Sequence, residues 1–282
     1  MALGRLIRAG RELAHTLLGA SKLMPMAKLS QSLIEQRIDP LVSGVRVPSL
    51  SGSIDMTGVS FFHGERRILS DIDLSVAQGE FLGLAGPSGG GKSTLLALLS
   101  GLERPQSGRV LLGGYELAAL DRRQIAGQIG MVMQNSRLFP GSIFQNIRGV
   151  SDIDLDEAWH FAELAGIAEE LRQFPMGLQT IVVEGGSGLA TGQAQRILIA
   201  RALAKKPAVL VLDEAMSALD GASQQRILAT LSRLPLTRIL VSHRPSTLAK
   251  ADRIVVLQRG TIVDDGSPED IMRRQPLFHA RG

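Results

Sequence analysis

The stretch GPSGGGKS, from Gly86 to Ser93, constrains the fold of this chain more than any other part of its sequence. It fits the pattern GxxxxGK[ST], with a strand-like apolar run before it and a helix-like run after it that ends near Gly101. The glycines of such a loop let backbone N–H groups surround a phosphate, while the lysine reaches the terminal phosphates and the hydroxyl offers a ligand to Mg²⁺. We expect these residues to bind a nucleotide: Gly86, Pro87, Ser88, Gly89, Gly90, Gly91, Lys92, Ser93 and Thr94.

Two adjacent carboxylates follow a predicted strand in the segment AVLVLDEAMSALD. Asp213, at the carboxyl end of this strand, is placed to hold Mg²⁺ through water. Glu214 beside it can orient or deprotonate the water that attacks a γ-phosphate. Paired carboxylates at a strand end are common, so it is their combination with the phosphate loop that indicates hydrolysis of a nucleoside triphosphate.

Two further polar residues follow predicted strands. His243 ends RILVSH on the same edge of the sheet as Asp213, which favours contact with the γ-phosphate over an ordinary structural role. Gln134 comes just beyond the strand in GMVMQ, where its amide oxygen can approach Mg²⁺. We therefore expect catalysis by Glu214, His243, Lys92 and Gln134, and metal binding by Ser93, Gln134 and Asp213.

A second glycine-rich turn leads into a helix-like run in GSGLATGQAQRILIARAL, residues 186–203. The unpaired backbone N–H groups of a helix start and the positive end of its dipole favour an anion such as phosphate. The chain therefore contains two predicted helix starts suited to phosphate.

The apolar runs from about residue 53 onward predict an α/β domain with a parallel sheet, because short apolar strands alternate with helical segments. Glycine-containing turns predict hairpins in GRVLLGGYEL and in RIVVLQRGTIVDDG. Residues 143–173 have helical spacing, with Asp154 as a predicted N-cap.

The segments outside this domain are expected to be distinct from it. Residues 1–38 begin with an amphipathic stretch, which fits either a helix on a membrane surface or a stalk packed on the domain. Residues 39–52 are rich in Pro, Gly and Ser and predict a linker, and residues 276–282 are a predicted tail. No apolar run reaches the ~18 residues that a membrane span requires, so we expect no transmembrane helix in this chain.

Composition and charge exclude several classes of protein. With 44% hydrophobic and 21% charged residues, the chain has the composition of a soluble globular protein. It contains no cysteine, which excludes disulfides and thiolate metal sites. The net charge of +4 lies within the first 50 residues, so the neutral remainder argues against a nucleic-acid partner.

The motifs together resemble those of a known family, the nucleotide-binding domain of ABC transporters, over about residues 53–275. The motifs that carry the resemblance, after the phosphate loop, are MVMQ, LATGQ, VLVLDE, SALD and SH. The resemblance implies a P-loop NTPase (RecA-like) fold, with a mostly parallel sheet core, an antiparallel β subdomain and an α-helical subdomain at about residues 142–204. It also implies ATP and Mg²⁺ as ligands and ATP hydrolysis as the activity.

Within this family the chain resembles the cassettes of exporters in particular, and this resemblance implies partners. The segments LFPGSIFQNI and FPMGLQTIVVEGGSG resemble the loops by which exporter cassettes contact their membrane domains, and details of the first resemble, more loosely, the peptide and bacteriocin export branch. PMAKLSQSLIEQRIDP resembles the tail between a last membrane helix and its cassette. A transmembrane domain outside this chain is therefore expected, with the chain at the cytoplasmic face of the inner membrane.

In such cassettes the motif LSGGQ contacts the γ-phosphate held by the other subunit, which would explain two phosphate-binding helix starts. The residues expected to act in this way across a dimer are Leu189, Ala190, Thr191, Gly192, Gln193 and Asp220. Ala190 stands where the family has serine and Thr191 where it has glycine. Losing a hydrogen bond to a charged group costs roughly 1.5–3 kcal/mol. This defect weakens the partner's site, which favours a heterodimer over the alternative of a homodimer.

The resemblance also aligns His63 with the tyrosine on which the family stacks adenine. An imidazole can stack on a purine with less area; the alternative is a turn histidine that faces water. We expect the neighbouring Phe62 to point into the core.

Two other functions are compatible with these motifs. One is a soluble ABC-type ATPase that works outside transport, although the long coiled-coil insertion or tandem cassettes usual in that class are lacking. The other is a regulatory cassette that binds nucleotide without hydrolysing it. The substitutions at Ala190 and Thr191 favour this function, whereas the presence of Glu214 and His243 opposes it.

Overall fold

A computed structural model describes residues 44–47, 50–183 and 188–279. The chain divides into the units Met1–Ser43 and Gly44–Gly282. The predictions for residues 1–38 lie outside the described residues, as do those for residues 39–43 and 280–282.

The strands, in chain order, are β1 (Ile54–His63), β2 (Arg66–Val76), β3 (Phe81–Ala85), β4 (Ser107–Leu112), β5 (Tyr115–Glu116), β6 (Ile129–Val132), β7 (Gly141–Ser142), β8 (Ile181–Val182), β9 (Val209–Asp213), β10 (Thr237–Val241), β11 (Arg253–Gln258) and β12 (Thr261–Gly266). The α-helices are α1 (Lys92–Leu99), α2 (Arg122–Gln128), α3 (Ile143–Arg148), α4 (Leu155–Leu164), α5 (Ala168–Arg172), α6 (Thr191–Ala204), α7 (Gly221–Leu231), α8 (Pro245–Leu248) and α9 (Pro268–Arg274).

The central sheet has the strand order β12–β11–β3–β10–β9–β6. Its strands are parallel except for β12, which pairs antiparallel with β11. Strand β9 is buried throughout, as expected for a parallel strand with both faces covered. Val209 and Val211 belong to one hydrophobic cluster and Leu210 and Leu212 to another, so the core lies on both faces of the sheet.

A second sheet, with the order β2–β1–β4–β5, is antiparallel. Gly113 and Gly114, both with positive φ, form the turn between β4 and β5 and confirm this predicted hairpin. The hairpin predicted in RIVVLQRGTIVDDG is confirmed as β11 and β12. The mostly parallel sheet with an antiparallel sheet and helices beside it confirms the predicted fold class.

The prediction that Phe62 points into the core is wrong. Phe61 is the buried residue, whereas Phe62 is half-buried beneath the guanidinium of Arg67. The pairing of β1 with β2 shifts register between Val59 and Phe61 and again between Phe61 and Phe62. Such irregularities change which face each side chain takes, so simple alternation along the strand fails here.

The helices α3 to α6 pack in one hydrophobic cluster, which also contains Val182 of β8. Asp154 accepts a hydrogen bond from the backbone N–H of Glu157 at 2.8 Å, which confirms the predicted N-cap of α4. Helix α6 buries Ile197, Ile199 and neighbouring apolar residues against α3 and α4. This packing fixes where α6 begins.

The described residues before β1 are packed on the domain, although their composition predicted a linker. Val47 and Leu50 are buried with the side chains of β1, and the backbone N–H of Val45 donates to the carbonyl of Ala119 at 2.8 Å. A content of Pro, Gly and Ser predicts the lack of regular secondary structure, which is compatible with close packing. None of the helices in the described residues has the length and apolar content to span a membrane.

Candidate nucleotide-binding site

Four strands of the central sheet end at the same edge, and each is followed by a polar residue that was predicted to be functional. Strand β3 leads into the phosphate loop, β6 into Gln134, β9 ends at Asp213 and β10 leads to His243. Because these strands are parallel, the residues after them meet at one cleft of about 350 Å³. The cleft is lined by residues of the loop from Ser88 to Thr94, by Gln134, Asp213, Glu214 and His243, and by Arg66 and Ile68 of β2.

The phosphate loop has a backbone that requires glycine at two places. Gly86 has φ +141, and a Cβ built there would lie 2.0 Å from the carbonyl oxygen of Leu257. Gly91 has φ +105, and its Cβ would lie 2.8 Å from the side chain of Leu69. The N–H of Gly260, in the turn between β11 and β12, donates to Gly90 at 3.0 Å. The loop is therefore shaped by the antiparallel sheet on one side and by the β11–β12 turn on the other.

Lys92 is the first residue of α1 and lies folded over the loop. Its Nζ donates to the carbonyls of Gly86 at 2.8 Å and Pro87 at 2.9 Å. Burial lowers the pKa of the Lys92 ammonium, and the carboxylates of Glu214 and Asp213 oppose that shift. The amine is thus held beside the free N–H groups of the helix start, where an anion binds best.

Ser93 and Asp213 form an oxygen-rich pair. The hydroxyl of Ser93 donates to Oδ2 of Asp213 at 3.2 Å. Burial raises the pKa of the Asp213 carboxyl, and the hydrogen bond from Ser93 opposes that change. Hydroxyl and carboxylate oxygens are ligands that Mg²⁺ accepts. A bound cation would offset the cost of keeping the buried Asp213 carboxylate charged. The oxygens of Ser93 and Asp213 therefore fit a cation as ligands.

Glu214 is fixed by three contacts. Its N–H donates to the carbonyl of Val241 at 3.2 Å, Gln134 Nε2 donates to Oε2 at 3.2 Å, and His243 Nε2 lies 3.1 Å from Oε1. Its φ of +51 breaks the alternation of the strand, so that Asp213 and Glu214 can both reach the cleft. The amide oxygen of Gln134 stays available to a metal, since its nitrogen makes the contact with Glu214.

His63 does not line the cleft; it is exposed at the end of β1. Sequence reasoning missed Arg66 and Ile68, which do line it. The signal that could have found them is the alternation of β2, because Leu69 belongs to the core and its neighbour Ile68 must face the other way.

The second glycine-rich helix start does not line this cleft, although Leu189 and Thr191 line a neighbouring cavity together with Gln134. Ala190 precedes α6 without a side-chain oxygen to cap it, and its N–H donates to Oε1 of Gln193 at 3.0 Å. Glu170 accepts hydrogen bonds from Gln193 at 2.9 Å and from the buried Arg196 at 2.6 Å. Ala190 and Thr191 are both exposed. Leu189, Gly192 and Gln193 are partly buried around the same helix start.

Asp220, predicted to act with this segment, caps α7. Its carboxylate accepts the N–H of Ser223 at 2.9 Å, and this hydrogen bond lowers the pKa of Asp220. The structure places neither Asp220 nor residues 189–193 among the residues that line the cleft of the same chain.

Comparisons with known proteins agree with this geometry. Residues 69–217 match the ABC transporter family. The chain is 38% identical over 259 residues, 90% of its length, to the ATP-dependent lipid A-core flippase of Burkholderia orbicola. It is 38% identical over 239 residues, 83% of its length, to the alpha-hemolysin translocation ATP-binding protein HlyB of Escherichia coli O157:H7.

A solved structure, that of a bacterial Atm1-family ABC exporter with ATP bound, resembles this one with a TM-score of 0.79 and 33% sequence identity over 92% of the chain. The chain spans 44% and 34% of the two relatives and 47% of the solved exporter chain, less than half of each. Because the family match covers more than half of this chain, the protein belongs to the ABC transporter family.

Proposed function

We propose that this chain is the ATP-binding and ATP-hydrolysing part of an exporter whose transmembrane domain lies outside it. The observation that carries the proposal is the position of Glu214, which lies at the cleft between Gln134 and His243 while Lys92 and Ser93 line the same space. A phosphate-binding loop and a positioned carboxylate in one cleft fit hydrolysis of a nucleoside triphosphate.

Each residue has a separate task in this mechanism. The N–H groups of the phosphate loop and the Lys92 ammonium bind the β- and γ-phosphates. Glu214 orients a water molecule and accepts its proton as the water attacks the γ-phosphorus in line with the leaving oxygen. His243 holds the Glu214 carboxylate from one side and reaches the γ-phosphate from the other.

Mg²⁺ would be held by Ser93, by Asp213 through water, and by the amide oxygen of Gln134. When bound, it neutralises charge on the phosphate oxygens as the bond to the leaving group breaks. The chain's own part is to keep the Ser93 and Asp213 oxygens within 3.2 Å of each other, ready for a shared cation.

The start of α6, at Ala190 to Gln193, acts on the nucleotide of a second cassette. What supports this is that these residues are exposed or partly buried and do not line the cleft of their own chain, together with the family resemblance. Since Ala190 offers no hydroxyl, the partner's nucleotide is held more weakly than this chain's own. A heterodimer with a partner that has an intact signature fits this asymmetry, with a homodimer as the alternative.

The chain works at the cytoplasmic face of the membrane through its transmembrane domain. The relatives are more than twice as long as the matched segment, which supports a domain beyond this cassette. Their names refer to lipid A-core in one case and to alpha-hemolysin in the other. Export of a peptide by this protein stays a prediction.

The test compares ATP binding and ATP hydrolysis by the wild-type chain and by Glu214→Gln, with the exposed Glu103→Gln as a matched control. We expect Glu214→Gln to bind ATP normally and to lose about 10²–10⁴-fold in kcat, which is the usual contribution of a general base. Glu103→Gln should hydrolyse ATP like the wild type.

The assay is run for the chain alone and with a candidate partner cassette. A Glu214→Gln variant that hydrolyses ATP as fast as the wild type contradicts the proposed mechanism. A wild-type chain that binds ATP and hydrolyses none with any partner supports the regulatory cassette instead.

A further inference from the structure

The loop between β9 and α7 continues directly from the proposed base, Glu214. The N–H of Ser217 donates to the carbonyl of Glu214 at 3.1 Å, and the N–H of Leu219 donates to the carbonyl of Met216 at 3.2 Å. These two turns carry the chain from Glu214 into residues 217–219, which we call the bridging loop. The mechanism proposed above gives this loop no task.

The side chain of Gln195, near the start of α6, is hydrogen-bonded to the bridging loop. Its Oε1 accepts the N–H of Ala218 at 3.0 Å, and its Nε2 donates to the hydroxyl of Ser217 at 3.2 Å. The helix packs closely on the loop, since a Cβ on Gly192 would lie 3.3 Å from the carbonyl oxygen of Ala218. Both ends of one amide group therefore join α6 to the bridging loop.

Arg244, the residue after His243, bonds the backbone carbonyls of the same loop. Its guanidinium donates to the carbonyls of Ser217 at 2.8 Å and Leu219 at 2.9 Å, and to Oε1 of Gln224 in α7 at 2.9 Å. A planar fork of donors suits several acceptors at fixed angles, which the single ammonium of lysine does not. The bridging loop is thereby bonded to the segment that carries His243.

The start of α6 depends on such contacts because it lacks the usual cap. Ala190, the residue before the helix, has no side-chain oxygen to accept an N–H of the first turn. Gln193 bonds to Glu170 of α5, whereas Gln195 bonds to the loop that follows the proposed base. Gln195 is thus a direct hydrogen-bonded link between the helix start and the catalytic segment of the same chain.

We propose that Gln195 and Arg244 are positioning residues. Through the bridging loop they fix the start of α6 relative to Glu214 and His243 of the same chain, and they thereby set how well that helix start supports hydrolysis of the partner's nucleotide. This inference rests on the proposed function, which assigns the start of α6 to the nucleotide of a second cassette.

The experiment mixes an excess of the Glu214→Gln chain with a hydrolysing cassette, which is the wild-type chain or a candidate partner. The ATP hydrolysis measured belongs to the hydrolysing cassette, because the excess chain lacks its base and supplies only the start of α6 to the dimer. Further substitutions are placed in the excess chain: Gln195→Leu, Arg244→Lys and the two combined. The matched controls are Gln225→Leu and Arg233→Lys, both at exposed positions.

We expect Gln195→Leu or Arg244→Lys in the excess chain to lower kcat at saturating MgATP about tenfold, the effect of losing one to two hydrogen bonds. Because both residues act through one loop, the double variant should lose little more than either single variant, rather than about a hundredfold. Both controls should leave kcat unchanged. Each excess chain should remain folded at the assay temperature by circular dichroism and should bind ATP without Mg²⁺ as Glu214→Gln does.

Three results overturn the inference and leave the proposed function intact. The first is an unchanged kcat with either Gln195→Leu or Arg244→Lys. The second is a double variant whose losses multiply, because the two residues would then act independently. The third is a loss of ATP binding by the excess chain that matches the loss in kcat, since the residues would then serve their own cleft. A wild-type chain that hydrolyses no ATP with itself or with any partner overturns the proposed function as well.

Discussion

At the scale of single residues, Glu214 has a backbone that non-glycine residues rarely adopt, with φ +51. A conformation of this kind costs on the order of 1–3 kcal/mol and is kept where neighbouring contacts enforce it. Here the contacts are the carbonyl of Val241 and the side chains of Gln134 and His243. Because glutamine has nearly the shape of glutamate, Glu214→Gln removes the charge and the basicity of the carboxylate with little change in volume, and its amide keeps one of the two acceptor oxygens.

Asp213 allows a prediction on stability. Burial raises the pKa of its carboxyl, so the native state binds the proton more tightly than the unfolded state. The carboxylate therefore lowers the free energy of unfolding at neutral pH, and this penalty disappears as the pH falls below the ordinary carboxyl pKa. We expect Asp213→Asn to unfold at a higher temperature than the wild type at pH 7, with a smaller difference at acidic pH, and to lose ATP hydrolysis.

The matched control for Asp213→Asn is Asp152→Asn, at an exposed position outside the cleft. Thermal unfolding followed by circular dichroism at several pH values measures the effect. An Asp213→Asn variant that is less stable than the wild type at neutral pH would show that neighbouring groups compensate the charge of Asp213, which contradicts this prediction.

The residues that the structure brings together in the cleft could be predicted because each follows a strand of one parallel sheet. That rule places Lys92, Ser93, Gln134, Asp213 and His243 at a common edge with no knowledge of distances. Arg66 could not be found in this way. Its place depends on the register of the β1–β2 hairpin and on which edge of β2 borders the loop, and both are set by contacts between distant segments.

At the scale of elements, hairpins and helix caps could be predicted from the sequence, whereas the face of a strand on which a side chain lies was harder to predict. The turn at Gly113 and Gly114 and the cap at Asp154 depend on a few neighbouring residues, and both are confirmed. Phe62 was assigned to the core by alternation, and irregular pairing in β1 made that wrong. Neighbouring residues in the sequence predict where an element starts or turns. Which face of the sheet a side chain takes depends also on the pairing with the partner strand.

The start of α6 is joined to α5 by a partly buried ion pair. The side chain of Arg196 is 8% exposed and bonds to Glu170, which is 40% exposed and also holds Gln193. In Glu170→Ala the Arg196 guanidinium would keep hydrogen bonds only to backbone carbonyls, those of Gly166 and Gly192. We expect a loss of about 2 kcal/mol in the free energy of unfolding, less than the 3–5 kcal/mol typical of a fully buried pair, because Glu170 is partly solvated.

The neighbouring Glu169→Ala is the control, since it removes a carboxylate that is 87% exposed and pairs with Arg172 at the surface. Urea denaturation measures both variants. Equal stability of the two would show that Glu170 does not support the start of α6.

At the scale of the whole molecule, the two helix starts that were predicted to bind phosphate do not line one cleft of this chain, which predicts a dimer with nucleotide between the subunits. We expect Glu214→Gln to dimerise, with itself or with a partner cassette, at saturating MgATP, and to be monomeric without nucleotide. Adding Ala190→Ser should tighten this dimer by roughly tenfold, since it restores a hydrogen bond to a charged phosphate.

Analytical ultracentrifugation gives the dimer constants, and Ala194→Ser, in the first turn of the same helix, controls for a general effect of a new hydroxyl. A Glu214→Gln protein that stays monomeric with every candidate partner contradicts the dimer. An unchanged constant in Ala190→Ser contradicts only the weakened signature.

The backbone that closes the phosphate loop from behind comes from far along the chain. The carbonyl of Leu257 lies against Gly86, and Gly260 donates to Gly90, whereas the family match stops at residue 217. A shortened protein cut to the recognisable motifs would keep the glycines, the lysine and both carboxylates and still lack the wall that gives the loop its curve. Fragments intended for biophysical work should therefore extend through the β11–β12 hairpin, because the motifs alone are not an autonomous binding unit.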